Sequence, residues 1–237
     1  MKKNIEINSE KINKRERNIK ILKIGLLISA LFLFIIYALL RVVYEQGAFT
    51  ISLDQNFAKK SGVIIYEDID VKESRRVLEA EKKEWIDNIS INWLPDNLHE
   101  HSGGPHNGDN YIAYTFFVEN QGSSTVNYWY TILIDDVIKN VDNAIRVMVY
   151  QNDEKKVYAK AASNGMAEPN TNAFKSEDMV LMEVREGFEE GDIDKYTIVI
   201  WIEGDDPDCI DALIGGQMKM HLEITEEHIE KNNITEE

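Results

Sequence analysis

Three histidines and three acids crowd one stretch of this chain. Residues 95–110 read P-D-N-L-H-E-H-S-G-G-P-H-N-G-D-N. Imidazole nitrogens and carboxylate oxygens are common ligands of zinc and copper. His99, His101, His106 and Asp109 are therefore candidate metal ligands, with Glu100 or Asp109 as the base of a metal-assisted hydrolysis. The spacing H-E-H-x4-H differs from H-E-x-x-H, in which one helical turn stacks both imidazoles on a face. His99 and His101, two apart, share a face only if the chain there is extended. The plainer reading is a set of exposed loop histidines. A second acidic run, E-G-D-D-P-D-C at 203–209 with Asp211 nearby, offers oxygen ligands of the kind Ca²⁺ takes. It lacks the alternate-position spacing of an EF-hand. The competing reading is an acidic turn in which Asp206 or Asp208 caps a short helix over 210–214, ended by Gly215-Gly216.

Other chemistries have less to stand on. No G-x-S-x-G occurs, and Cys209 has no histidine at a recognisable spacing. Gly103-Gly104 and Gly215-Gly216 lack the Lys-Ser/Thr of a phosphate-binding loop. Cys209 is the single cysteine of the 237 residues, so no intrachain disulfide forms, and a buried, inert thiol is the expectation. Asn88-Ile89-Ser90 and Asn233-Ile234-Thr235 fit a glycosylation sequon, a short pattern that also arises by chance.

What must position these groups starts with residues 24–40, I-G-L-L-I-S-A-L-F-L-F-I-I-Y-A-L-L, seventeen residues without a charge. As a helix the run is ~25 Å long, and Lys23 and Arg41 extend it by snorkelling. This predicts a transmembrane helix over 21–44, with Tyr37 and Tyr44 suited to the interface. A buried helix of a soluble domain would need apolar neighbours all round. The basic arm 1–20 predicts a cytoplasmic N-terminus and an external C-terminal domain, a signal anchor. A cleaved signal peptide is the competing reading, but no clean A-x-A site follows Leu40. Residues 1–44 hold nine Lys or Arg against three acids, whereas 45–237 hold seventeen against thirty-nine. So acidic a domain repels nucleic acid and anionic headgroups.

From 45 onward, β patterns dominate. F-T-I-S-L alternates at 49–53, and 62–66, 111–119, 126–134, 179–184, 196–203 and 217–225 are rich in β-branched and aromatic residues. Segments 144–150 and 156–161 form a hairpin about Asn152-Asp153. Residues 111–119 are apolar on both faces. Residues 70–88 favour a helix by composition, and 85–93 favour a strand. With turns between strands and no β-α-β alternation, the expected fold is mainly β: an antiparallel, jelly-roll-like sandwich over 45–225 with a charged tail at 226–237 that frays.

The stretches 47–54, 111–120 and 140–147, and above all D-K-Y-T-I-V-I-W-I-E-G-D-D-P-D-C-I-D-A-L-I-G-G-Q-M-K-M-H-L at 194–222, resemble surface and secreted proteins of low-GC Gram-positive bacteria akin to the TasA/camelysin group. The resemblance spans residues 45–225 and is structural rather than catalytic. It implies an extracellular jelly-roll sandwich in a biofilm matrix or fibre, with strand exchange between subunits. Members usually carry a cleavable signal, whereas this chain has a long basic arm and no obvious cut site. No catalytic motif carries over for the peptidase activity proposed for camelysin. The expectation is thus a membrane-anchored cell-surface protein working through other surface proteins or self-association at strand edges. The alternative is a camelysin-like, metal-dependent hydrolase using the 99–109 loop with Zn or Ca.

Overall fold

A computed structural model of the chain describes residues 2–44, 49–81, 83, 85–162 and 164–226. Residues 45–48, and all but Glu226 of the tail 226–237 expected to fray, lie outside the described residues. The chain divides into two compact units, Met1–Gln46 and Gly47–Glu237. The first is one α-helix, α1 (Lys2–Tyr44). Within it Arg17–Ala38 is long and apolar enough to cross a membrane, with mean hydropathy 2.5 and no residue buried.

The second unit is a β-sandwich. Sheet A holds β10 (Met179–Phe188), β6 (Val126–Ile138), β12 (Gln217–Glu226), β1 (Phe49–Leu53) and β3 (Val77–Glu79), in that order. Sheet B runs β2 (Val63–Tyr66), β5 (Tyr111–Asn120), β11 (Ile193–Ile202), β7 (Ile145–Gln151), β8 (Glu154–Ala159) and β9 (Asn172–Ala173). The short β4 (Gly104–Pro105) also pairs with β5. The chain crosses between sheets at most connections, so apolar alternation buries one face of each. Phe49, Ile51, Tyr114, Phe116, Ile132, Tyr196, Ile198 and Leu222 share the inter-sheet core.

The sheets are not wholly antiparallel as expected. β1 runs parallel to β12, Phe49 opposite Met220 and Leu53 opposite Ile224, and β8 runs parallel to β9. After β1, Asp54 accepts from the Phe57 amide at 2.7 Å and starts α2 (Gln55–Ser61), as a capping aspartate does. Gly62 closes it in the left-handed conformation. The helix expected over 70–88 is replaced by a turn, β3 and an extended segment. The strand expected over 85–93 reduces to one bridge, Ile89 to Glu203, and a 3-10 turn, Ile91–Trp93.

That extended segment explains why β5 is apolar on both faces. Residues 85–110 form a strap whose first part, through Leu98, crosses the outer face of sheet B and which then pairs with β5 through β4. Ile89, Leu94 and Leu98 of the strap pack on Ala113, Met148, Tyr150, Val199 and Trp201. Sheet B therefore sits between two apolar layers, so its strands need not alternate.

Candidate functional site

The histidine loop lies within the strap, and its residues are held by packing. A 3-10 turn, Leu98–Glu100, buries Leu98 and turns His99 onto Tyr150, ring centroids 4.9 Å apart. His101 leaves the turn in the other direction and stacks face to face on His106 at 4.0 Å and 6°. Its Nδ1 accepts from the Gly103 amide at 3.3 Å, while His106 Nδ1 meets the Gly104 carbonyl at 3.1 Å. His99 Nδ1 and His106 Nε2 are buried without a hydrogen-bond partner among the described residues. Burial holds the His106 pKa below 6.5; the Gly104 carbonyl opposes this and the His101 charge adds to it. The Leu98 carbonyl also favours a proton on His106, yet it does not reach hydrogen-bond geometry with Nε2. Asp109 lies apart, its backbone carbonyl accepting from Lys83 at 2.8 Å. The structure thus pairs His101 with His106 and leaves His99 and Asp109 elsewhere.

Among the described residues, one set of three possible ligands brings its atoms within 4.8 Å of one another: Glu168, Asp206 and Asp208. The Arg146 guanidinium already occupies that site. It bonds Asp206 and lies 3.8 Å from Glu168. The side chains of Arg146 and Asp206 are 5 % and 0 % exposed, so each neutralises a charge that burial would otherwise make costly.

Glu203 and Asp205 of the same run are committed as well. Glu203 accepts from the Trp201 indole at 3.0 Å, from the Ile91 amide at 3.1 Å and from the Asp205 amide at 3.2 Å. Asp205 accepts from the Ser90 hydroxyl at 2.6 Å. These bonds pin the strap to the end of β11. The expected helix over 210–214 is a three-residue 3-10 turn, Asp211–Leu213, capped by no side chain. Asp206 accepts instead from the Asp208 amide at 2.7 Å. Cys209 is half-buried rather than fully so, and burial raises its thiol pKa despite the Asn88 bond.

A second polar system closes the opposite side of the sandwich. Glu183 on β10 accepts from Tyr130 at 2.7 Å, Tyr158 at 2.5 Å and Lys156 at 2.8 Å. Burial alone would raise its carboxyl, but donation from Lys156, Tyr158 and Tyr130 prevails and lowers it. Asp194 on β11 accepts from Tyr128 at 2.8 Å, Asn152 at 3.1 Å and Arg185 at 2.9 Å. Burial, with these carboxylates beside them, pushes the Tyr128 and Tyr130 hydroxyls far above their usual range. Sequence reasoning missed this system and Arg146. Both left a trace: Tyr128 and Tyr130 alternate in one strand, so both turn inward, and buried hydroxyls need partners. Arg146 interrupts an apolar strand, which requires an acid nearby.

One shallow cleft, about 250 Å³, is lined by Glu67, Asp68, Asp70, Ser102 and Gly103 among others. It falls below the ~300–1,000 Å³ usual for ligand pockets.

No protein-family model matches the chain, and no curated protein matches it. Among solved structures, the chain is similar to the β-glucosidase of Kluyveromyces marxianus in complex with glucose, at 12 % identity and a TM-score of 0.27, over 70 % of this chain and 15 % of that one. The selenomethionine-labelled β-glucosidase of the same yeast gives 12 % and 0.30, over 70 % and 17 %. The chain thus spans less than a fifth of those proteins' length, and a likeness this slight bears on neither fold nor activity.

Proposed function

We propose that this chain is a membrane-tethered surface protein of the TasA/camelysin type. Residues 1–20 lie in the cytoplasm, the apolar helix crosses the membrane, and the acidic β-sandwich works outside by contact with other surface proteins or with copies of itself. The observation that carries this reading is β10. Ten residues long, it pairs with β6 on one side; on the other, Lys175 and Ser176 turn back onto Met179 and Val180, and among the described residues no strand lies along the rest. An edge of this kind accepts a partner strand. Two further observations support it: Glu203, Asp205 and Asp206 of the acidic run hold the strap and Arg146, and the histidines are packed rather than gathered around one point.

The test uses the full chain in intact cells. Protease added outside should remove the sandwich and leave the basic arm, and a short cross-linker should yield a ladder of oligomers or adducts with surface proteins. A sandwich protected in intact cells but digested after lysis overturns the orientation. A protein that stays monomeric and unlinked at every surface density overturns the contact role.

A further inference from the structure

The end of the sandwich at which β1 begins carries an apolar tip. Strand register fixes which end this is. Phe49 opens β1 opposite Met220, and three residues upstream on β12 Gln217 lies opposite Ile138 at the close of β6. The turn after Ile138 and the loop before Gln217 therefore meet there. Lys139 Nζ donates to the Ile214 carbonyl at 2.5 Å. Gly216 packs so tightly on this turn that an added Cβ would lie 2.7 Å from Val141 and 3.0 Å from the Ile138 carbonyl. The result is a fixed knuckle from which Ile138, Ile210 and Ile214 project 39 %, 58 % and 59 % exposed. Single exposed isoleucines are ordinary; three on two joined turns at one end call for an explanation.

The covalent chain supplies one. Only residues 45–48 separate Tyr44, the end of α1, from Phe49. Five Cα steps reach at most about 18 Å. A ten-residue strand is ~33 Å long. A tether this short lets the β1 end reach the surface of any bilayer the apolar helix crosses. We infer that the Ile138–Ile210–Ile214 tip seats in that bilayer at the boundary between headgroups and acyl chains. This rests on the reading that the helix spans a membrane, and it holds for either orientation. Charge attraction is not the driver. Asp211 is exposed within the tip, Asp136 lies opposite Lys219 beside it, and Lys139 is already engaged with a carbonyl. The tip therefore suits a zwitterionic surface at least as well as an anionic one, since apolar insertion into the interface needs no headgroup charge.

The experiment places one environment-sensitive fluorophore on the full chain, in a Cys209→Ser background, at Ile214→Cys or at Ser123→Cys. Each protein is reconstituted into phosphatidylcholine vesicles carrying a nitroxide-labelled lipid, with parallel vesicles containing phosphatidylglycerol. The expected result is a blue-shifted Ile214 probe, quenched at least twofold in both lipids, and an aqueous, unquenched Ser123 probe. Adding Ile138→Asn and Ile210→Asn should reverse the quenching without moving the melting temperature. Alkaline extraction separates the two levels of failure. Release of the protein from the vesicles removes the membrane reading beneath the inference. Retention with an aqueous Ile214 probe, with both probes quenched alike, or with an Ile214 probe shielded from water yet unquenched by lipid removes the inference alone, the last by showing a protein contact instead.

Discussion

Replacing Arg146 with methionine tests whether the acidic trio is a structural ion pair or a metal site. Methionine keeps much of the stem's volume, so the main change is electrostatic. Asp206, with a side chain 0 % exposed, and Glu168, at 10 %, would face each other without the guanidinium. Removing one partner of a buried pair costs about 3–5 kcal/mol. For a domain of this size each kcal/mol shifts the melting temperature by ~2–4 °C, so the loss is about 6–20 °C. The double variant Arg146→Met/Asp206→Leu should recover most of it, because an apolar pair restores neutrality. Freed of the guanidinium, Glu168, Asp206 and Asp208 become an open three-carboxylate site. Calcium at 100 times its dissociation constant should then return ~2.7 kcal/mol to Arg146→Met. The wild type should melt at the same temperature in calcium and in chelator. Thermal unfolding of the full chain in detergent, followed by near-ultraviolet circular dichroism, measures all four. An Arg146→Met protein whose melting temperature falls by less than the lower bound of about 6 °C would refute the buried pair. A wild type stabilised by calcium would refute the claim that arginine fills the site.

Three further outcomes follow from the same structure. Because Glu183 titrates lower in the fold than its ordinary 4.5, its stabilising contribution is present above that value and lost as pH falls through the lower folded one; Glu183→Ala should flatten this acid limb and cost about 2–4 kcal/mol by stranding Tyr130 and Tyr158, as read by urea unfolding between about pH 3 and 6. His106 is likewise held below 6.5, so the unfolded chain takes up a proton first and stability falls as pH drops below that point; His106→Phe should remove that slope in the same assay. Gly122→Ala places a Cβ 1.8 Å from the Ser61 carbonyl and should cost about 1–3 kcal/mol, seen as a lower denaturation midpoint.

Local pattern made most strands legible. The alternation of Phe49, Ile51 and Leu53 and the hairpin at Asn152-Asp153 are contained in a few residues each. The apolar helix was legible because it needs no partner to be recognised. The two-sided burial of 111–119 was visible as a pattern but not as a cause, because the strap that covers its outer face is held from afar: Ile89 bridges Glu203, and Ile91 bonds its carboxylate. For the same reason the first part of the strap, 85–93, looked like a helix or strand, its composition constraining it less than its anchors do. The parallel pairing of β1 with β12 joins positions about 170 residues apart, and no window of sequence holds both. In the histidine loop the two-residue spacing was sound for an extended chain. The 3-10 turn at Leu98–Glu100 changed which ring each histidine meets, sending His99 to Tyr150 and His101 to His106.

The polar system around Glu183 and Asp194 bears directly on how an edge strand can serve as a docking element. A free edge frays or pairs indiscriminately unless something holds it. Here β10 is fixed by its side chains. Glu183 is gripped by Tyr130 of β6 and by Lys156 and Tyr158 of β8, across the open side of the sandwich, and Arg185 reaches Asp194 on β11. The strand is thus tied to both sheets through groups that point inward, which leaves its outer backbone edge ordered without a neighbouring strand. The same geometry limits what can dock. Glu183 and Arg185 are already paired, so they offer an incoming chain little free charge, and the excess of acids over bases in residues 45–237 repels a second copy until backbone pairing at short range outweighs it. Under the proposed contact role, ordered backbone behind a repulsive field would select for partners that match the edge in register.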